Sequence, residues 1–325
     1  LVGANMKDSS KGWIAGLIFL ILLVSVPVWY FTRAEAVSVA AEIENPWEFM
    51  PRRGEPVNHK DLFEGPFETG QQVTEACLVC HEDSANQVMH TTHWSWQSEP
   101  VMMEGRDEPV SVGKKNAINN FCIGIQGNWA SCTACHAGYG WEDQDFDFEA
   151  TSNVDCLVCH DGSGGYKKGK SGLPAEGVDL LEAAKSVGLP KRENCGGCHF
   201  RGGGGNAVKH GDLDESLYNP SDEIDVHMGR FNFQCVDCHQ TTDHVIGGRS
   251  ISVSVDNKGQ IACTDCHQPK LHADDRINAH TDTLACQTCH IPEVAVKQAT
   301  KTHWDWAAAG DDSREESTHE YLKIK

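Results

Sequence analysis

Positive charge is scarce in this chain: 27 lysines and arginines stand against 47 aspartates and glutamates in 325 residues, a formal net charge of −20. So acidic a surface repels phosphate backbones, which excludes nucleic acid as a partner. The charge serves solubility, and it also suits docking of a basic electron-transfer protein. Long apolar runs are missing except near the N-terminus. A fixed internal period is missing too. The short cysteine motifs of the chain begin 55, 24, 39, 40, 28 and 23 residues apart, which excludes an array of equal modules.

Cysteine is abundant by contrast. Fourteen of the 15 cysteines fall into seven Cys-x-x-Cys-His motifs: Cys77/Cys80/His81, Cys132/Cys135/His136, Cys156/Cys159/His160, Cys195/Cys198/His199, Cys235/Cys238/His239, Cys263/Cys266/His267 and Cys286/Cys289/His290. Zinc sites, disulfide frameworks and thioredoxin-type pairs each allow some cysteine pairs. None of them requires a histidine after every second cysteine. The pattern is the attachment signal of c-type haem, in which two thiols take the porphyrin vinyls and the histidine binds iron. Haem c, seven times over, is the expected cofactor. Porphyrins then supply much of the buried apolar volume that side chains normally supply. The expected fold is mainly α with much irregular structure, wrapped around the haems on short helices. The closely spaced motifs, Cys132 with Cys156 and Cys263 with Cys286, are expected to bring consecutive haems together.

Each motif histidine fills one axial position, and a second histidine or a substrate fills the other. Ten histidines lie outside the motifs. Those in or between motif loops are the candidate second ligands: His90, His93, His210, His227, His244, His272 and His280. His303, before Trp304-Asp-Trp306, reads equally as ligand or surface residue, and His59 and His319 read as surface residues.

Residues 1–34 contain an apolar run from Trp13 to Phe31 behind Lys7 and Lys11. They read as an inner-membrane anchor or a cleaved signal peptide, and either places the rest of the chain outside the cytoplasm. Residues 35–70, with four prolines, read as a linker and extended segment, and 71–325 as the multihaem domain. Within it Val178–Val187 has a short helical pattern, and Ser250–Val255 alternates like a strand before a turn at Asp256–Gly259.

The loops carry a further resemblance. Phe-Cys-Ile-Gly (121–124), Cys-Thr-Ala-Cys-His-Ala-Gly-Tyr-Gly-Trp (132–141), Asn-Val-Asp-Cys-Leu-Val-Cys-His-Asp (153–161) and Cys-Gly-Gly-Cys-His-Phe (195–200) resemble the octahaem tetrathionate reductases. So do Asn-Ala-Val-Lys-His-Gly-Asp (206–212), Ile-Asp-Val-His-Met (224–228), Cys-Gln-Thr-Cys-His-Ile-Pro (286–292) and Trp-Asp-Trp (304–306). The resemblance covers roughly residues 60–325. It implies a periplasmic enzyme that draws electrons from a quinol dehydrogenase or soluble cytochrome and reduces tetrathionate, nitrite or hydroxylamine. It also implies one haem with lysine on iron beside a non-haem cysteine. Cys122 is the cysteine outside the motifs. Lys209 is the first candidate lysine, with Lys114 or Lys115 in reserve. Eight haems are expected from the family and seven motifs are present, so the C-terminal part with the last motif is expected to be missing here.

Overall fold

The computed structural model describes residues 9–34, 45–48, 50, 53–118, 124–200, 206, 212–249, 259–268, 270–291 and 293–297. The chain divides into two compact units, Leu1–Arg53 and Gly54–Lys325. The first holds helix α1 (Ser9–Ala34), 26 residues long. Its described side chains from Trp13 to Val26 are exposed and largely apolar. Among the described residues no helix is long and apolar enough to cross a membrane.

The second unit is built from short helices joined by hydrogen-bonded loops. Helix α2 (Gly70–Leu78) starts where Thr69 accepts from Gln72 N at 3.3 Å and the Gln72 side chain accepts from the Thr69 backbone, a reciprocal cap. It buries Val73 against Leu157, Leu180, Ala183 and Ala184, with Phe63 and Phe67 packed alongside. The segment 35–70, read above as linker, therefore joins the larger unit from Gly54 onward. Helices α3 (Ser84–Met89) and α4 (Thr92–Ser95) follow, bringing Ala85 and Trp94 against Val154. Trp96, Ile125 and Trp141 form a third apolar cluster, bordered by Trp129, Cys132, Cys135, Phe146 and Phe148.

Further short helices carry motif residues, among them α5 (Trp129–Cys132), α6 (Leu157–His160), α8 (Arg192–His199) and α10 (Cys235–Cys238), with α7 (Leu180–Lys185) between the second and third of these. Helix α7 falls inside the predicted helical stretch Val178–Val187 and is capped by Asp179. Helix α9 (Val226–Phe231) is capped by Asp225, α11 (Asp275–His280) by Asp274, and α12 (Gln287–His290) ends on the last motif histidine. Strands β1 (Thr241–Thr242) and β2 (Val245–Ile246) make a small antiparallel hairpin that the sequence did not announce. The strand predicted at Ser250–Val255 lies outside the described residues.

Candidate haem-binding sites

Cys-x-x-Cys-His is a helical-turn motif: residues i, i+3 and i+4 share one face. The turn forms as expected. His81 N bonds Cys77 O at 3.0 Å, and the same bond recurs at His160–Cys156 (3.1 Å), His239–Cys235 (2.8 Å), His267–Cys263 (2.8 Å) and His290–Cys286 (3.0 Å). The second motif differs. His136 N bonds Thr133 O at 2.9 Å in a tighter turn.

Burial of the motif residues is uneven. Ten motif cysteines are half-buried, whereas Cys80, Cys238, Cys266 and Cys289 are exposed. Each of these four is the second cysteine of its motif, and the histidine that follows it (His81, His239, His267 and His290) is exposed as well. The three apolar clusters border Cys77, Cys132, Cys135 and Cys156. An accessible thiol at the four exposed positions suits attachment to a vinyl group, because reactivity needs the thiol within reach.

Five motif histidines each face one histidine from elsewhere in the chain. Ring centres are 6.3 Å apart for His59–His81, 6.1 Å for His93–His199, 6.4 Å for His160–His244, 6.0 Å for His227–His267 and 5.8 Å for His272–His290. Two metal–nitrogen bonds of about 2 Å, with about an ångström from each nitrogen to its ring centre, add to roughly 6 Å. The spacing fits one iron between each pair. Several rings are steered by their other nitrogen, which leaves Nε2 for metal. Nδ1 donates to Val57 O from His59 (2.7 Å), to Gly188 O from His160 (2.9 Å), to Gly247 O from His239 (2.8 Å) and to Gln87 Oε1 from His244 (2.8 Å). Burial holds the His93 and His244 pKa values below the ordinary range, the neutral form a metal requires.

Of the predicted second ligands, His93, His227, His244 and His272 meet a motif ring. His90 instead is exposed and bonds Asn86 O through Nδ1 at 2.7 Å. His280, also exposed, ends α11 without an imidazole against it among the described residues. His210, His303 and His319 lie outside the described residues. His59, read as a surface residue, stacks on His81. Its signal in the sequence was position: it lies ahead of the first motif, where a chain entering a haem array must supply a ligand.

The second motif stands apart. His136 is fully buried, and no described imidazole lies against it. Trp141, Trp94, Phe146, Trp96 and Phe148 surround its ring at 4.7 to 6.1 Å. Its Nε2 bonds Trp94 O at 2.8 Å, and its Nδ1 is buried without a partner. Burial first, and then the charges of Lys168, Lys115 and Lys114, lower the His136 pKa to about 3, against the bond to Trp94 O, which raises it. Both reserve lysines reach this place. Lys114 Nζ bonds Cys132 O at 3.3 Å and sits 4.0 Å from the Trp96 ring centre, while Lys115 Nζ lies 3.7 Å from that of Phe148. The other two candidates, Cys122 and Lys209, lie outside the described residues. At the fifth motif His239 likewise meets no described imidazole.

Thiol contacts relate the motifs to one another. Thiols of different motifs lie near enough to perturb one another: Cys77 and Cys156, Cys135 and Cys198, Cys195 and Cys235, and Cys263 and Cys286. The last is the neighbour pair expected from spacing. The other expected pair is not joined thiol to thiol: Cys156 meets Cys77, and the second motif meets the fourth.

A polar cluster that sequence reasoning missed lies between the second and third motifs. The Asp155 carboxylate accepts from Tyr139 Oη (2.9 Å), Tyr166 Oη (2.8 Å), Val158 N (3.0 Å) and Lys168 Nζ (2.5 Å). Lys168 stands in a glycine- and lysine-rich stretch, where nothing marks one lysine as buried.

Known proteins agree with this picture. Residues 221–298 match the family model for cytochrome c7 and related cytochrome c. A crystal structure of an octaheme cytochrome c from Shewanella oneidensis superposes with a TM-score of 0.70 at 48% identity, covering 80% of this chain and 58% of that one. The chain thus spans somewhat over half the length of that neighbour. A protein of Archaeoglobus fulgidus, described as uncharacterized, is 27% identical over 246 residues, 60% of this chain and 82% of its own length. With its haem-attachment motifs on helical turns and its facing imidazoles, the chain is similar to multihaem c-type cytochromes, which carry covalently bound haem c.

Proposed function

We propose that the protein is a reductase located outside the cytoplasm, which passes electrons through bis-histidine haems to a working haem at Cys132/Cys135/His136. The observation that carries the reading is the surroundings of His136: five other motif histidines face a second imidazole, whereas His136, which like His239 faces none among the described residues, is enclosed by tryptophan and phenylalanine rings on which Lys114 and Lys115 rest. Haem, when bound, supplies one-electron centres and, at the second motif, a coordination position for substrate. The protein's own residues do the rest. His59, His93, His227, His244 and His272 hold the second axial positions of the conducting sites. Lys114 and Lys115 make a positive place in an acidic protein, which draws an oxidised sulfur or nitrogen anion. The buried rings of Trp94, Trp96 and Trp141 exclude water and so strengthen that attraction.

Tetrathionate is the substrate proposed first, nitrite and hydroxylamine next. With two electrons the central S–S bond of tetrathionate breaks and two thiosulfates leave, Cys122 serving as a sulfur-exchange partner. Lys209, or Lys114 or Lys115, supplies the lysine at iron, a ligand that substrate displaces to reach its coordination position. The electron donor is a quinol dehydrogenase or a soluble cytochrome, and the segment 1–34 attaches the protein to the inner membrane or is removed on export.

The facing imidazoles and the run of thiol contacts also favour a second reading, a conduit without turnover. An assay panel with reduced dye and each oxidant separates the two. The reductase reading expects turnover with tetrathionate, lost in Cys122→Ser at unchanged haem content. An all-low-spin protein that ignores tetrathionate, nitrite and hydroxylamine leaves only the conduit.

A further inference from the structure

We propose that Gln87 lowers the redox potential of the third-motif haem site by accepting a hydrogen bond from the ring of its second axial histidine, His244. This rests on the reading of His160 and His244 as an axial pair. The His244 Nδ1 donates to Gln87 Oε1 at 2.8 Å, across 157 residues of sequence. An imidazole that gives Nε2 to a metal keeps its proton on Nδ1, so the amide must present its oxygen and not its nitrogen. The facing ring is held in the same way, because the His160 Nδ1 donates to Gly188 O at 2.9 Å. At the third motif both rings therefore have an acceptor. The seventh motif contrasts with it: the Nδ1 of His272, which faces His290, is buried without a partner among the described residues.

Both ends of the Gln87–His244 bond are fixed by the fold. Gln87 is half-buried in α3, which Ala85, Val88 and Met89 anchor in the apolar cluster around Trp94 and Val154. Its backbone N donates to Asp83 O at 3.0 Å, and its O accepts from His90 N at 3.2 Å. His244 stands in the tight turn between β1 and β2, where Asp243 and His244 both have positive φ, 48° and 63°. Such values are uncommon away from glycine, so the ligand is presented from a strained loop position. The bond is partly withdrawn from water, which strengthens it.

An acceptor on Nδ1 makes an imidazole a stronger donor to metal. Electron density pushed onto iron favours its ferric state, which lowers the potential. Gln87 is a positioning residue in this scheme: it touches neither iron nor substrate and acts through His244. The Gly188 carbonyl belongs to the backbone, so the half of the setting that a side chain controls lies at residue 87.

The test is a potentiometric titration of the haem-loaded protein, followed by electron paramagnetic resonance and with haem content measured in parallel. The third-motif iron is the low-spin signal that His244→Leu converts to high-spin. Gln87→Leu removes the acceptor and is expected to raise the potential of that signal, favouring ferrous iron about tenfold, a change of about 59 mV. Gln87→Glu puts a charged acceptor in the same place and is expected to lower it. Shifts of opposite sign support the proposal, because a merely structural role moves both variants the same way or neither. Any other combination overturns it. Should Gln87→Leu fail to load haem, Gln87→Glu decides, and a potential that does not fall overturns the proposal. If His244→Leu leaves every low-spin signal in place, the axial pairing fails and the proposal with it, whereas unshifted Gln87 variants overturn the proposal alone and leave the pairing standing.

Discussion

Tyr139 and Tyr166 both donate to the buried carboxylate of Asp155, and burial together with that negative charge raises both phenol pKa values well above the ordinary 10.0. Above pH 10 the unfolded chain releases these protons and the folded protein retains them. The contribution to stability is therefore complete below pH 10 and declines as pH rises past it. An ultraviolet titration is expected to show these two phenols, of five tyrosines, ionising only with unfolding. Ionisation of all five in the folded protein near pH 10 contradicts the assignment. Gly138 gives a second prediction at this scale. A Cβ there would lie 2.6 Å from the Trp94 ring, 2.9 Å from Asn153 O and 2.9 Å from His136 Cε1. Gly138→Ala is expected to cost about 1–3 kcal/mol by overpacking, read as a shift in denaturant midpoint. The motif cysteines and histidines were legible in the sequence because their chemistry is local. Their depth was not: Cys80 and Cys289 lie exposed while Cys77 and Cys286, three residues earlier, are half-buried. Lys168 was hidden for the same reason, since its burial is set by partners at Gly138 and Asp155 that only the fold brings near it.

Helix α8 shows how short elements are held when each has too few residues to stand alone. Arg192, at its first turn and 5% exposed, donates to Phe233 O (3.2 Å), Tyr218 O (3.2 Å), Met228 O (3.4 Å) and Asn232 Oδ1 (2.5 Å). One guanidinium thus fastens the fourth motif helix to α9 and the approach to the fifth motif. Arg192→Leu leaves these carbonyls without a donor and is expected to cost roughly 2–4 kcal/mol. Lys at this position cannot span the same fan of acceptors and is expected to recover only part of the loss, as thermal unfolding of the haem-loaded variants would show. The sequence announced α7 through its apolar spacing and the motif turns through their cysteines. It did not announce β1 and β2, whose strands are two residues each and carry no usable alternation.

Across the whole molecule the histidine pairing explains why a chain with little regular structure keeps a defined shape. The pairs couple positions far apart in sequence, so the fold is tied together at its cofactor sites. His59→Leu is expected to turn one low-spin haem high-spin, whereas His90→Leu leaves the low-spin count unchanged. Electron paramagnetic resonance checks both, and an effect of the opposite pattern excludes the His59–His81 pair. Counting histidines showed that ligands were in sufficient supply. It could not show which ring faces which motif, because that depends on loop paths between elements: His59, read as a surface residue, faces His81, and the His90 Nδ1 bonds Asn86 O.

The pairing also sets an order in time. His59, His93, His227 and His272 all precede the motif histidine they face, whereas His244 follows His160. A chain delivered N-terminus first offers the third motif its own histidine long before the β1–β2 turn arrives with the second. On the export proposed above, a chain that has not yet grown past residue 244 supplies the third motif with one imidazole and not two.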